Sequence, residues 1–226
     1  MFKNVIQKIV RHQMEWLAKA PTATILVCGF AFVILTGGFL LWLPISHNPG
    51  KTITFLDAVF EAGSAVCVTG LTVVPVGFTF NFFGRLVMAI LIQIGGMGIV
   101  LLGIFLILLT GGKLNMKTRS LFVAAQNLFG YSQIADLARS IISLMFGIEL
   151  VGALLSWPIF AADYGWWQGL GYACFHSASA FNNAGFDILG GTDSLAAYAS
   201  NIPMNLVTTG LVILGSFGFI AMIDLL

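Results

Sequence analysis

SAVCVTGL, residues 64–71, places a polar, glycine-containing turn directly after a short apolar run, and SAFNNAGF, residues 179–186, does the same. The run leading into the first is FLDAVFEAGSAV (Phe55–Val66); the run leading into the second is WWQGLGYACFHSASAF (Trp166–Phe181). Neither is long enough to cross a bilayer as a helix, which takes about 20 residues. Apolar pieces of that length read as re-entrant helices that enter and leave on one side. Irregular backbone at that depth is tolerated only where protein buries it or where it lines a watery path.

Around these turns the chain is mostly apolar. Hydrophobic residues make up 58% and charged residues 8%, with a mean hydropathy of +0.98, whereas a soluble domain carries about 25% charged residues. So little polar surface excludes a protein dispersed in water. Four stretches are apolar and long enough to span: residues 22–45, 86–109, 141–161 and 202–226, the third interrupted only by Glu149. The expected fold is an all-α membrane protein of four transmembrane helices plus two re-entrant pore helices, arranged as two tandem helix–pore loop–helix repeats. The net charge of +1 points to no nucleic-acid partner; membrane lipid is the expected surrounding.

Lys and Arg set the orientation, because cytoplasmic loops collect them. Lys3, Lys8, Arg11 and Lys19 precede the first span, and Lys113, Lys117, Arg119 and Arg139 cluster between the second and third. Asp57, Glu61, Asp163, Asp187 and Asp193 lie near the short helices, with only Lys51 and Arg85 as cations. The expected arrangement is a cell-membrane, multi-pass protein with a cytoplasmic N-terminus and re-entrant segments entering from outside. Four parts follow: a cytoplasmic amphipathic segment, 1–20; a first repeat, 21–112; a cytoplasmic connector, 113–140; and a second repeat, 141–226, cut short at its end. Cys28, Cys67 and Cys174 show no metal spacing and read as small packing residues.

The halves match at an offset of 115: Ala58, Phe60, Ser64, Ala65 and Gly70 fall on Ala173, Phe175, Ser179, Ala180 and Gly185. Gly95 and Gly98 of IGGMG fall on Gly215 and Gly218 of LGSFG at a slightly larger offset. The following chemistry is expected of the turns. A short helix descending from outside ends near the membrane centre with about half a negative charge on its free carbonyls, which favours a cation. The ascending chain then has carbonyls available to replace an ion's hydration water. Gly70 and Gly185 permit the backbone angles this requires. Cys67, Val68 and Thr69, with Asn182, Asn183 and Ala184, supply the other carbonyls, their side chains pointing away from the axis. Helix-packing turns are the plainer alternative.

At these residues the chain resembles the TrkH/KtrB/HKT superfamily of potassium transporters, most closely its KtrB branch. SAVCVTGL is similar to the first filter segment of that family and SAFNNAGF to the second; LDAVF and IQIGGMG also resemble it. The resemblance implies a pore of four helix–pore loop–helix repeats in one polypeptide, with one filter segment per repeat and a glycine in each that accompanies potassium preference. Gly70 and Gly185 take those glycine places. Cys67 stands where the family more often has Thr. Only two of four repeats are present and the chain ends at AMIDLL, so the expectation is the N-terminal half of a longer protein, with a dimerising half-size subunit as the alternative. The family's gating loop belongs to the missing third repeat. The resemblance also implies a cytosolic nucleotide-binding regulatory subunit as partner. Residues 117–140 are one candidate for meeting it, a solvated connector being the other reading. No cofactor and no transition metal are expected in this chain, with K+ as the transported ion.

The remaining candidates carry less. Glu149, ionisable within a span, marks a functional site by default, but a buried hydrogen bond to a neighbouring element is the preferred reading. His176, on the second pore helix, reads as a hydrogen-bonded packing residue. A membrane enzyme using Glu149 and His176 lacks a further ligand or nucleophile, so no enzymatic activity is expected. A two-pore-domain potassium channel wants a TVGYG-like filter, which CVTGL and NNAGF fit poorly. A non-conducting fragment that folds with its missing half stays open.

Overall fold

The computed structural model describes residues 22–98, 100–104, 134–189 and 194–224, with isolated positions 116, 118, 120 and 123. The amphipathic segment expected at 1–20 lies outside them, as does most of the connector expected at 113–140, whose last seven residues, 134–140, are described. Helices α1 (Thr22–Trp42), α2 (Phe55–Val66), α3 (Val76–Thr79, a single turn) and α4 (Phe82–Met97) form the first half. The second contains α5 (Ile134–Tyr164), α6 (Trp166–Phe181), α7 (Ile202–Ser216) and α8 (Phe219–Asp224). Among the described residues there is no strand, only a bridge between His47 and Phe80.

α1 and α5 are long and apolar enough to cross a membrane. Their faces carry the apolar exposure that only a lipid or protein covering explains: Val27, Phe32, Leu35 and Phe39 on α1, and Leu150, Val151, Leu154 and Leu155 on α5. The molecule is thus an all-α membrane protein. α5 runs longer than the span of 141–161, and its first turns carry an exposed Asp136–Arg139 pair (3.0 Å) three residues apart.

The two halves pack in the same order. α2 lies against α1 and α4, α6 lies against α5 and α7, and the halves meet where α4 touches α6. Small residues make the approach possible. Ala58, Ala62 and Ala65 of α2 are buried, as are Ala173, Ser177 and Ala180 of α6, both sets spaced four and three apart on one helix face. α2 begins with a capping box, in which Thr54 Oγ1 accepts from Asp57 N and Asp57 Oδ2 accepts from Thr54 N. α4 and α7 both begin at an asparagine cap, Asn81 and Asn201. Asn81 Nδ2 also donates to Ile45 O (2.7 Å) and His47 O (2.9 Å), tying α4 to the end of α1.

Beside the second turn, Tyr198 donates to Asp163 Oδ2 at 2.6 Å, closing the 194–198 loop onto the end of α5. Burial first, then that carboxylate, pushes the Tyr198 phenol above its ordinary value, which keeps it a donor.

The structure corrects two expectations here. The second and fourth apolar stretches are interrupted rather than continuous: α4 ends at Gly98 and α7 just before Gly218, both glycines at positive φ (76° and 79°). A left-handed residue cannot continue a right-handed helix, so each glycine breaks it. The cysteines, expected as packing residues, are exposed.

Candidate functional site

α2 and α6 each end in a turn of the same form, and the likeness extends to individual hydrogen bonds. After α2, Cys67 N donates to Gly63 O (2.8 Å), Val68 N to Ala65 O (3.3 Å) and Thr69 N to Ser64 O (3.0 Å). After α6, Asn182 N donates to Ala178 O (3.1 Å), Asn183 N to Ala180 O (3.0 Å) and Ala184 N to Ser179 O (2.8 Å). The backbone angles agree as well: φ is 55° at Val68 and 57° at Asn183, and 72° at both Gly70 and Gly185. Asparagine tolerates the left-handed region, whereas a β-branched valine there is a true outlier, held only because its surroundings over-determine it.

The structure brings the two turns into contact. A Cβ built on Gly70 would lie 2.6 Å from Ala184 O and 3.4 Å from Gly185 Cα. The carbonyls of Cys67, Val68, Thr69 and Gly70, and those of Asn182, Asn183, Ala184 and Gly185, accept no hydrogen bond from any described residue. Backbone carbonyls left without donors need another partner: water, an ion or another stretch of protein.

The six side chains of the two segments do not share one environment. Asn182 and Ala184 are buried and Val68 is half-buried, but Cys67, Thr69 and Asn183 are exposed. Ser64 Oγ pairs with Thr69 Oγ1 at 2.8 Å, and Ser179 Oγ donates to Phe186 O at 2.6 Å, so the repeated serines secure different atoms. Asn183 Oδ1 accepts from Ser216 Oγ at 3.2 Å.

The glycines of IGGMG and LGSFG have distinct tasks. A Cβ on Gly95 would lie 2.3 Å from Val66 O, and one on Gly215 only 1.7 Å from Phe181 O. Each first glycine therefore admits the carbonyl end of the preceding short helix, while each last one breaks its own helix.

Two residues that the sequence left in the background come forward. Glu61 is fully buried, and its Oε1 accepts from Val73 N (2.8 Å) and Val74 N (3.3 Å), fastening the ascending chain to α2. An acid inside a short membrane-depth helix was the available signal. Gln93 joins Glu149 and Asn182 in a buried network, so Glu149 makes hydrogen bonds to neighbouring elements, as preferred. His176 instead contacts Thr208 Oγ1 at 3.0 Å and packs edge-on against Phe160. Glu149 and His176 thus take separate partners.

The chain belongs to the TrkH family, described as a cation transport protein, which matches residues 2–226. The potassium/sodium uptake protein NtpJ of Enterococcus hirae is 37% identical over 223 residues, covering 99% of this chain and 48% of that protein. Ktr system potassium uptake protein B of Bacillus subtilis is 37% identical over 213 residues, covering 94% of this chain and 47% of that protein. Ktr system potassium uptake protein D of the same organism is 35% identical over 210 residues. The chain spans about half the length of these curated relatives. The family is one of cation transporters, not of enzymes.

Proposed function

We propose that this chain supplies two selectivity-filter segments of a potassium uptake pore, with K+ as cargo and no cofactor of its own. The observation that supports the reading is the pair of touching turns, eight carbonyls without donors at the C-terminal ends of α2 and α6. Helix C-termini favour cations through their partial negative charge, and free carbonyls can stand in for hydration water. On this reading α1, α2 and α4 form one helix–pore loop–helix repeat within 21–112, and α5, α6 and α7 another within 141–226. The short helices enter from outside, and residues 1–20 and 113–140 face the cytoplasm. Inward movement is then driven by the membrane potential, worth about 2.3 kcal/mol per charge per 100 mV.

A ring of filter carbonyls needs more than two segments. The others come from a further half of the protein or from a second copy of this chain. A cytosolic nucleotide-binding subunit is the regulatory partner, in keeping with relatives named as parts of a Ktr system.

The test is rubidium uptake into proteoliposomes containing the chain alone, or the chain joined to the C-terminal half of the Bacillus subtilis Ktr B relative. Uptake in either form that K+ blocks and Na+ does not is the expected result. Uptake in neither, or uptake that both ions block equally, overturns the filter reading.

A further inference from the structure

We propose that Glu149 and Gln93 form a positioning clamp that holds the second turn in its ion-selecting shape through Asn182; this rests on the filter reading above. Three side chains from three separate elements close a ring of hydrogen bonds. Gln93 Nε2 of α4 donates to Glu149 Oε2 of α5 at 2.5 Å. Asn182 Nδ2, just beyond α6, reaches Gln93 Oε1 at 2.5 Å and Glu149 Oε1 at 3.0 Å. The same amide nitrogen lies 2.8 Å from Ala178 O. It has two hydrogens for three acceptors, so it is saturated. Asn182 is the first residue of the turn, and Asn183 and Ala184 follow it directly.

The surroundings are shaped for this ring. Glu149 is 8% exposed and Asn182 9%. Gly96 lies three residues after Gln93, on the same face of α4, where a Cβ would fall 1.6 Å from Asn182 Oδ1. One position of α4 thus makes room for the asparagine and the other binds it. Ser177 Oγ donates to Glu149 O at 2.6 Å, a second tie between α6 and α5. In a medium of low dielectric such polar rings are rigid when fully paired and costly when one bond is missing.

Among the described residues the first turn has no counterpart. Cys67 holds the place of Asn182 and is exposed. That turn is braced by the Ser64–Thr69 hydroxyl pair and by Glu61 on the Val73 and Val74 amides. The two filter segments therefore have different supports, and the second depends on an acid from the neighbouring helix.

The donor count makes the clamp testable. With glutamine at 149 the ring holds three amides, and any orientation leaves one donor facing a donor or one acceptor facing an acceptor. Exchanging the two residues restores an acid and an amide on either side of Asn182, and every bond can form again. Glu149→Gln, Gln93→Glu and the double exchange are made in whichever reconstituted form conducts, alongside Gly70→Ala as a filter control. The expected result is about tenfold loss of K+ over Na+ discrimination in each single variant, with the double exchange returning to within about threefold of the parent. Unfolding temperatures in Na+ and in K+ give a second readout for every variant that inserts. The single variants lose the extra stabilisation that K+ gives over Na+, beyond whatever the unmade bond costs in Na+.

Intact discrimination in both single variants, with Gly70→Ala impaired, overturns the clamp and leaves the filter standing. Equal falls in Na+ and in K+, with the extra stabilisation by K+ intact, make the ring ordinary packing and overturn it also. Unchanged discrimination in all variants, Gly70→Ala included, removes the filter reading and the clamp with it.

Discussion

Gly70→Ala and Gly185→Ala look equivalent in sequence, yet the structure separates them. Both glycines have φ of 72°, so alanine at either site costs about 1–2 kcal/mol for the left-handed conformation. The new methyl groups meet different surroundings. At Gly185 the nearest atom is Gly70 Cα at 3.6 Å, an ordinary contact. At Gly70 the methyl lies 2.6 Å from Ala184 O, and reaching a carbon–oxygen separation of about 3.3 Å requires roughly 0.7 Å of retreat. The obstacle is backbone rather than a flexible side chain, so the retreat moves one of the proposed ion ligands. A ligand energy change of about 1.4 kcal/mol between K+ and Na+ is tenfold in selectivity. Gly70→Ala should therefore lose about tenfold or more of the discrimination of K+ from Na+, and Gly185→Ala less than about threefold, with the larger cost to folding also at Gly70. Rubidium uptake with K+ and Na+ as competitors reads the first quantity, and thermal unfolding the second. Equal loss in both variants, or a larger loss at Gly185, would refute the argument from the contact between the turns.

Other substitutions test other links. Gly70→Ser, with its larger side chain, should weaken discrimination at least as much as alanine in the same competition assay. Gly215→Ala and Gly95→Ala place a methyl 1.7 Å and 2.3 Å from the last carbonyls of α6 and α2. Neither should yield monodisperse protein on size exclusion, while Gly210→Ala, with nothing within 4 Å, should behave as the parent. Asn81→Ala removes the cap of α4 and two ties to the end of α1, and should destabilise by about 1–3 kcal/mol in denaturant unfolding. Glu61→Leu leaves the Val73 and Val74 amides without their acceptor, which should cost about 2–4 kcal/mol in the same measurement.

Much of this architecture can be read along the chain. The apolar fraction and the long runs of α1 and α5 determine the solvent and the helices, because the length of an uninterrupted apolar segment is a one-dimensional property. Ser64, Gly70, Ser179 and Gly185 reveal two related turns, because glycine and small residues mark where backbone must bend or approach. The breaks at Gly98 and Gly218 escape such reading. A glycine that packs and a glycine at positive φ look identical inside an apolar stretch, and Gly95 beside Gly98 shows both uses within four residues.

Partners are harder to read than turns. Glu149 announced a buried polar contact, because an acid in a span must satisfy its oxygens somewhere, but nothing in the chain named Gln93, 56 positions away, or Asn182, 33 positions away. Composition, periodicity and the repeat are local or self-similar properties, and these the amino-acid order determines alone. Which carbonyl faces Gly70, which acid supports which turn, and why two segments of common pattern have unlike braces depend on how α4 and α6 dock between the halves. That docking comes from the shapes of Ala58, Ala62, Gly95, Gly96, Ser177 and Gly215 acting together, a sum over distant residues that no window of sequence contains.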